Sequence, residues 1–213
     1  MILKELLKGV TYTEKRGCAD IEIAGLTYDS RTVSEDYCFF AVAGTAVDGH
    51  NFIAKAVESG AKAVICQYIP EEVAECDCTF VVVEDTNAAM GTIASNFYGN
   101  PSHELKVVGV TGTNGKTSVT YMIKSILEHN GEMVGLIGTI QNMIGDQIIE
   151  SKNTTPGVYE LQELFAKMKS EGCKYVIMEV SSHALGQRRV EGLEFSVGIF
   201  TKLTQEHLDY DIT

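Results

Sequence analysis

An apolar run from Leu105 to Val110 leads directly into the loop GVTGTNGKTS, Gly109 to Ser118. Beyond the loop, Val119, Met122, Ile123, Ile126 and Leu127 recur at i, i+3, i+4, i+7 and i+8, and Asn130-Gly131 ends the pattern. A continuous apolar strand is what a central parallel strand requires when both its faces are covered. An amphipathic helix then returns over the sheet. Strand, glycine-rich loop and helix in this order predict an α/β fold with a mostly parallel sheet.

The loop also constrains chemistry. In the nucleotide loop G-x-x-x-x-G-K-[ST], backbone N–H groups cradle phosphates, the lysine meets them, and the hydroxyl binds Mg²⁺. Gly115-Lys116-Thr117 supplies the end of this pattern, whereas the first glycine of the strict spacing falls on Val110, so the match is to a variant. The bland alternative is a glycine-rich turn with a solvated lysine, but it does not account for the strand before the loop and the helix after it. Such a loop usually works with a carboxylate from another strand. Tyr175 to Met178 followed by Glu179 has that form, which makes Glu179 the metal-site candidate; alone, a strand-end glutamate is more often simply exposed.

Two series of strands and helices are expected, meeting near residue 101. The first has strands at Asp20 to Tyr28, Cys38 to Gly44, Ala61 to Gln67 and Thr79 to Glu84, and a helix from Asn87 to Tyr98 that aligns Met90, Ile93, Ala94 and Phe97. Gly99-Asn100-Pro101-Ser102 then combines a helix-ending glycine with a proline that cannot continue the helix. We place the boundary there, giving domains 1–100 and 101–213, with a tight loop inside one domain as the alternative. In the second series a strand covers Met133 to Ile140, and Met143 to Ile149 forms part of a hairpin turning at Gly145-Asp146. A helix follows from Pro156 to Glu171, with Thr155 as N-cap and Val158, Leu161, Leu164, Phe165 and Met168 facing the core. Strands at Lys174 to Val180 and Phe195 to Leu203 complete the series.

The formal charge of −12 and the lack of any basic run argue against nucleic acid as a partner, because phosphate backbones are bound through clustered Lys and Arg. Cys18, Cys38, Cys66, Cys76, Cys78 and Cys173 lack CxxC spacing, and nothing resembles a signal peptide, so reduced thiols in the cytoplasm are expected. No apolar run approaches the roughly 20 residues of a membrane helix, so no membrane insertion is expected. A monomer is the expected state.

Four segments together resemble the Mur ligases: TGTNGKTS (Thr111 to Ser118), NTTP (Asn153 to Pro156), EVSSHALGQRRV (Glu179 to Val190) and FTKLTQEHLDY (Phe200 to Tyr210). YDSR (Tyr28 to Arg31) and DGHNFI (Asp48 to Ile53) are similar to that family's uridine-nucleotide domain. The branch most resembled adds the third, diamino-acid residue to the stem peptide of peptidoglycan. Folylpolyglutamate synthetases share TGTNGK but lack YDSR and NTTP. The resemblance implies a small N-terminal α/β UDP-sugar domain followed by a truncated P-loop α/β domain. It implies ATP and Mg²⁺ as cofactors, with UDP-N-acetylmuramoyl-dipeptide and a diamino acid as substrates.

By resemblance, Gly112, Thr113, Asn114, Gly115, Lys116, Thr117 and Ser118 bind ATP, and Thr117, Glu179 and His207 hold metal. Lys116, Glu179 and His207 are then the catalytic set. Tyr28 and Ser30 belong to the uridine-nucleotide site, while Asn153, Thr154, Thr155, Ser181, Gln187 and Arg189 hold the sugar-peptide. Thr154 and Thr155 also make a good helix start, and both readings can hold at once. His50 and His183 receive no role and are expected to be surface or packing residues. Four places depart from the family pattern: Lys202 stands where a small amide is usual, Glu206 replaces an Asp, Asp211 follows HLDY, and Thr45-Ala46-Val47 lacks a polar pair. The resemblance stops at Thr213, before a metal-bridging lysine and an amino-acid-binding domain, so it implies the front part of a ligase without turnover on its own. A non-catalytic binding module is the alternative, and an unrelated P-loop kinase or GTPase a more distant one.

Overall fold

The computed structural model describes residues 1–44, 47–73, 75–151 and 153–204. The chain divides into two compact units, Met1–Phe97 and Tyr98–Thr213. The first contains α1 (Leu3–Leu6), β1 (Glu14–Arg16), β2 (Gly25–Thr27), β3 (Tyr37–Phe40), α2 (Ile53–Glu58), β4 (Ala61–Cys66), β5 (Thr79–Val82) and α3 (Thr86–Phe97). Its sheet runs β1-β5-β4-β3-β2, parallel except for the antiparallel edge strand β1. The four parallel strands lie in the segments expected for them, to within a residue. Strand β1 was not anticipated: Glu14-Lys15-Arg16 is exposed at every position, and a charged edge strand has no hydrophobic pattern to reveal it.

Phe39, Ile53, Val64 and Phe80 form the centre of this unit, with Cys38, Cys66 and Cys78 buried in it. All six cysteines are free thiols. Burial pushes the Cys66 and Cys78 thiols up to about 12 and the Cys38 thiol higher still. His50 is a packing histidine, 3 % exposed. Gln67 N donates to its Nε2 at 2.9 Å, so Nδ1 carries the proton and donates to Asp48 Oδ1 at 2.6 Å; the ring stacks on Tyr68 at 4.3 Å.

The second unit contains α4 (Pro101–Glu104), β6 (Lys106–Thr111), α5 (Lys116–His129), β7 (Val134–Ile137), β8 (Asn142–Ile144), β9 (Gln147–Ile149), α6 (Val158–Ser170), β10 (Tyr175–Glu179), α7 (Ser182–Gly186) and β11 (Val197–Phe200). Its sheet order is β11-β6-β10-β7-β8-β9, in which β11, β6, β10 and β7 are parallel and β8 and β9 form the expected hairpin at the edge. One face packs on α6 through Leu161, Phe165 and Met168. Gly135 in β7 lets the helix approach closely, because a Cβ there would sit 2.5 Å from Met168 Sδ and displace that side chain. The other face packs on α5 through Val119, Ile123 and Leu127. Among the described residues no helix is long and apolar enough to cross a membrane.

Two helix expectations need correction. Met122 and Ile126, expected in the core, are 63 % and 62 % exposed, while Thr120 and Lys124 are buried. The polar pair can enter because each is satisfied on its own helix: the Thr120 hydroxyl donates to Thr117 O, and Lys124 pairs with Glu128. The helix expected from Pro156 starts at Val158, with Gly157 at the cap position and no side-chain cap. Thr155 is buried and is engaged elsewhere, as described below.

The raised thiol pKa values have a definite sign. A thiol that ionises near 9 when unfolded and near 12 when folded adds stability that is complete below pH 9 and is lost as pH rises between those values. Urea unfolding should therefore show a falling midpoint above pH 9. At pH 8, iodoacetamide should label exposed Cys18 in the native protein but reach Cys38, Cys66 and Cys78 only after denaturation, a pattern read by mass spectrometry.

Candidate nucleotide and metal site

The sheet order places the site. Parallel strands end on one edge, and β10 lies between β6 and β7. The loop after β6, Glu179 at the end of β10 and Gly138-Thr139 after β7 therefore converge, with Glu179 in register with Val110. Ligands in open α/β sheets bind at this carboxyl edge.

Lys116 is the first residue of α5, and Gly115 before it has φ +91°, with no side chain capping the helix. The leading N–H groups of this 14-residue helix thus face the loop without a side-chain acceptor, the arrangement that suits an anion. Gly112 has φ +125°, and a Cβ there would sit 2.4 Å from Thr201 Oγ1. Lys116 Nζ donates to Gly112 O at 2.7 Å and Thr113 O at 3.0 Å, folding the side chain back over the loop. The loop is also tied to the segment following β11. Thr113 N donates to Lys202 O at 2.7 Å, Thr204 N donates to Thr113 Oγ1 at 2.9 Å, and Thr201 Oγ1 donates to Asn114 O at 2.7 Å. Lys202, one of the departures from the family pattern, meets the loop through its main chain.

Glu179 is 1 % exposed. Its Oε2 accepts from Thr117 Oγ1 at 2.9 Å and Thr139 Oγ1 at 3.0 Å, and its Oε1 accepts from Thr139 N at 3.0 Å. Among the described residues no cation pairs with it. A buried carboxyl group held only by neutral donors has no cation beside it, and its oxygens together with the Thr117 hydroxyl suit a small hard cation such as Mg²⁺, which takes one or two carboxylate or hydroxyl oxygens and keeps its waters. Gly138 allows the close approach, since a Cβ there would lie 2.4 Å from Glu179 Oε1.

Thr155 joins the opposite wall to β10. Its hydroxyl donates to Glu179 O at 2.9 Å and accepts from Ser181 N at 3.2 Å, while its carbonyl accepts from Arg189 Nη1 at 3.0 Å. Arg189 in turn grips Gln187 Oε1 through Nε at 2.9 Å and Nη2 at 2.6 Å. Ser181 caps α7 by accepting from Ala184 N.

These walls enclose an open cleft of roughly 450 Å³, lined by Thr113, Asn114, Gly115, Lys116, Thr117, Asn153, Thr154, Thr155, Glu179, Ser181 and Arg189, together with Thr139 and His183. Eleven of the residues expected at the site thus share one cleft. Gly112, Ser118 and Gln187 adjoin it without lining it. Tyr28 and Ser30 lie in the first unit, Tyr28 exposed and Ser30 buried. Between them Asp29 receives a bidentate hydrogen bond from Arg31, which holds its carboxyl down at about 2. His207, like Thr45 and Ala46, lies outside the described residues. Thr139 escaped the sequence reading because a Gly-Thr at a strand end carries no pattern of its own; His183 was visible in SSH and passed over.

The profile of the Mur ligase family, catalytic domain, matches residues 22–98, and that of the Mur ligase middle domain matches residues 110–212. The chain belongs to the Mur ligase family. This Mur ligase chain is 52 % identical over all its 213 residues to UDP-N-acetylmuramoyl-L-alanyl-D-glutamate–2,6-diaminopimelate ligase 1 of Clostridium acetobutylicum, and 50 % identical over 99 % of its length to the corresponding ligase of Caldanaerobacter subterraneus subsp. tengcongensis. It spans 44 % and 43 % of those two proteins. A solved structure of a UDP-N-acetylmuramoyl-L-alanyl-D-glutamate–2,6-diaminopimelate ligase superimposes with a TM-score of 0.81 over 98 % of the Mur ligase chain and 41 % of that protein; at 24 % identity this likeness concerns the fold.

Close packing at Gly138 makes a direct prediction. Gly138→Ala should destabilise the protein by about 1–3 kcal/mol through overpacking, whereas Gly198→Ala, where a Cβ meets nothing within 4 Å, should cost much less. Urea midpoints of the two variants give the comparison.

Proposed function

We propose that the chain carries the nucleotide site and part of the acceptor site of an ATP-dependent amide-bond ligase of peptidoglycan precursor synthesis. The ligase adds a diamino acid to UDP-N-acetylmuramoyl-L-Ala-D-Glu, and the names of the relatives favour 2,6-diaminopimelate as that amino acid. The observation that carries this reading is the single cleft holding Lys116, Glu179 and Arg189.

In the proposed reaction, the terminal carboxylate of the dipeptide attacks the γ-phosphorus of ATP and gives an acyl phosphate and ADP. The amine of the diamino acid then attacks the acyl carbon, forming the amide and releasing phosphate. No side-chain nucleophile is needed, so the residues contribute position and charge. Lys116 leaves its carbonyl partners for the phosphates, exchanging neutral acceptors for charged ones. The α5 N-terminus and loop N–H groups hold the phosphate oxygens. Thr117 and Glu179 would hold Mg²⁺, which supplies charge neutralisation at the transferring phosphoryl group. Arg189, held by Gln187 and Thr155, offers a cation for the acceptor's acidic groups, and Asn153, Thr154 and Ser181 add polar partners. His207 is assigned to a second metal, and Tyr28 and Ser30 to the uridine nucleotide, on the family resemblance alone. Residues 1–100 form the proposed UDP-sugar domain, and 101–213 the proposed ATP domain.

Calorimetry tests the reading on the 213-residue chain. Mg-ADP and UDP-N-acetylmuramoyl-dipeptide should each give saturable heats. Lys116→Ala should weaken Mg-ADP by about 10- to 100-fold, the loss expected for a charge-assisted contact worth about 1.5–3 kcal/mol, and leave the dipeptide affinity nearly unchanged. Absence of nucleotide binding by the unaltered chain would overturn the ATP assignment. Because the chain spans less than half of its relatives, a second reading is binding without turnover. Diaminopimelate-dependent phosphate release by the 213 residues alone would exclude that reading.

A further inference from the structure

We infer that Thr139 is a positioning residue for the metal carboxylate, through both its backbone N–H and its hydroxyl. The inference rests on the proposed Mg-nucleotide site and assigns a role within it to a residue that carries no part of the loop or acceptor motifs.

Glu179 accepts three hydrogen bonds, and two come from Thr139. The N–H at 3.0 Å engages Oε1 and fixes the rotation of the carboxylate plane, so that Oε2 is the oxygen directed to Thr117. The Thr139 hydroxyl, 3.0 Å from Oε2, is the second donor on that oxygen. The same hydroxyl lies 3.1 Å from Thr154 Oγ1. It has one proton, and the carboxylate is the stronger acceptor. Thr139 therefore bridges Glu179 to the wall formed by 153–155. Gly138 enforces the arrangement, because any side chain there would collide with Oε1. Thr139 itself is exposed, so its hydroxyl fills no core space and its contribution is directional. Groups that orient a ligating carboxylate in this way typically change metal affinity by about 10- to 100-fold when removed.

The test is the benefit that Mg²⁺ confers on ADP binding, taken as the ratio of Kd without Mg²⁺ to Kd with saturating Mg²⁺, by calorimetry. Thr139→Val keeps the backbone N–H and the shape but loses the hydroxyl; Thr139→Ser restores the hydroxyl. The expected result is a ratio lowered about tenfold in Thr139→Val and recovered in Thr139→Ser, with the Mg²⁺-free Kd of both near that of the unaltered protein. A purely structural residue would move both Kd values together. An unchanged ratio in Thr139→Val would overturn the inference and leave the nucleotide reading standing, as would a loss that Thr139→Ser fails to recover. If the unaltered chain binds ADP without any benefit from Mg²⁺, both the metal assignment and this inference fall; if it binds no ADP, the nucleotide reading falls first. Circular dichroism establishes folding, and should Thr139→Val not fold, Thr139→Ala is judged by the same ratio.

Discussion

The carboxyl group at the end of β10 lies beneath the surface, and the segments around it are arranged to give its oxygens hydrogen-bond partners. Glu179 is nearly inaccessible and is held by a hydroxyl from the first turn of α5 and by the hydroxyl and backbone N–H of Thr139 after β7. Burying polar oxygens without partners is costly, so the three donors and the glycine that admits the side chain let the fold accommodate it. The same need explains the strand order. Only a strand flanked by both β6 and β7 can place its last residue within reach of Thr117 on one side and Thr139 on the other.

The first unit obeys a different constraint. Its parallel sheet contains apolar residues and buried thiols, and its one buried histidine satisfies both ring nitrogens within its own loop and strand. That satisfaction makes His50 a structural residue. Its sheet carries the YDSR turn at the end of β2, where Arg31 is neutralised by Asp29 rather than left free.

Periodicity revealed the strands and helices where burial is one-sided or complete. The α6 stripe and the central strands are cases in which apolar pattern and packing agree. Pattern misled where polar residues satisfied themselves locally. Thr120 and Lys124 take the inner face of α5 because helix-internal partners remove their desolvation cost, while Met122 and Ile126 face outward. Thr155 reads as a helix cap, yet its hydroxyl serves β10 across 24 residues of sequence. The cleft was legible through the loop, the SSH segment and NTTP, whose residues carry chemistry in their order. Thr139 was not, because its role comes from a strand end meeting a carboxylate 40 residues away.

The ties between Thr113 and Thr204 span 91 residues. A loop that looks like a local motif therefore takes its final form only when β11 has joined β6 at the edge of the sheet. Long-range closure of this kind is slow compared with forming the adjoining helix. The shape of the loop depends on the edge strand as well as on its own glycines, and a change that loosens β11 would loosen the loop with it.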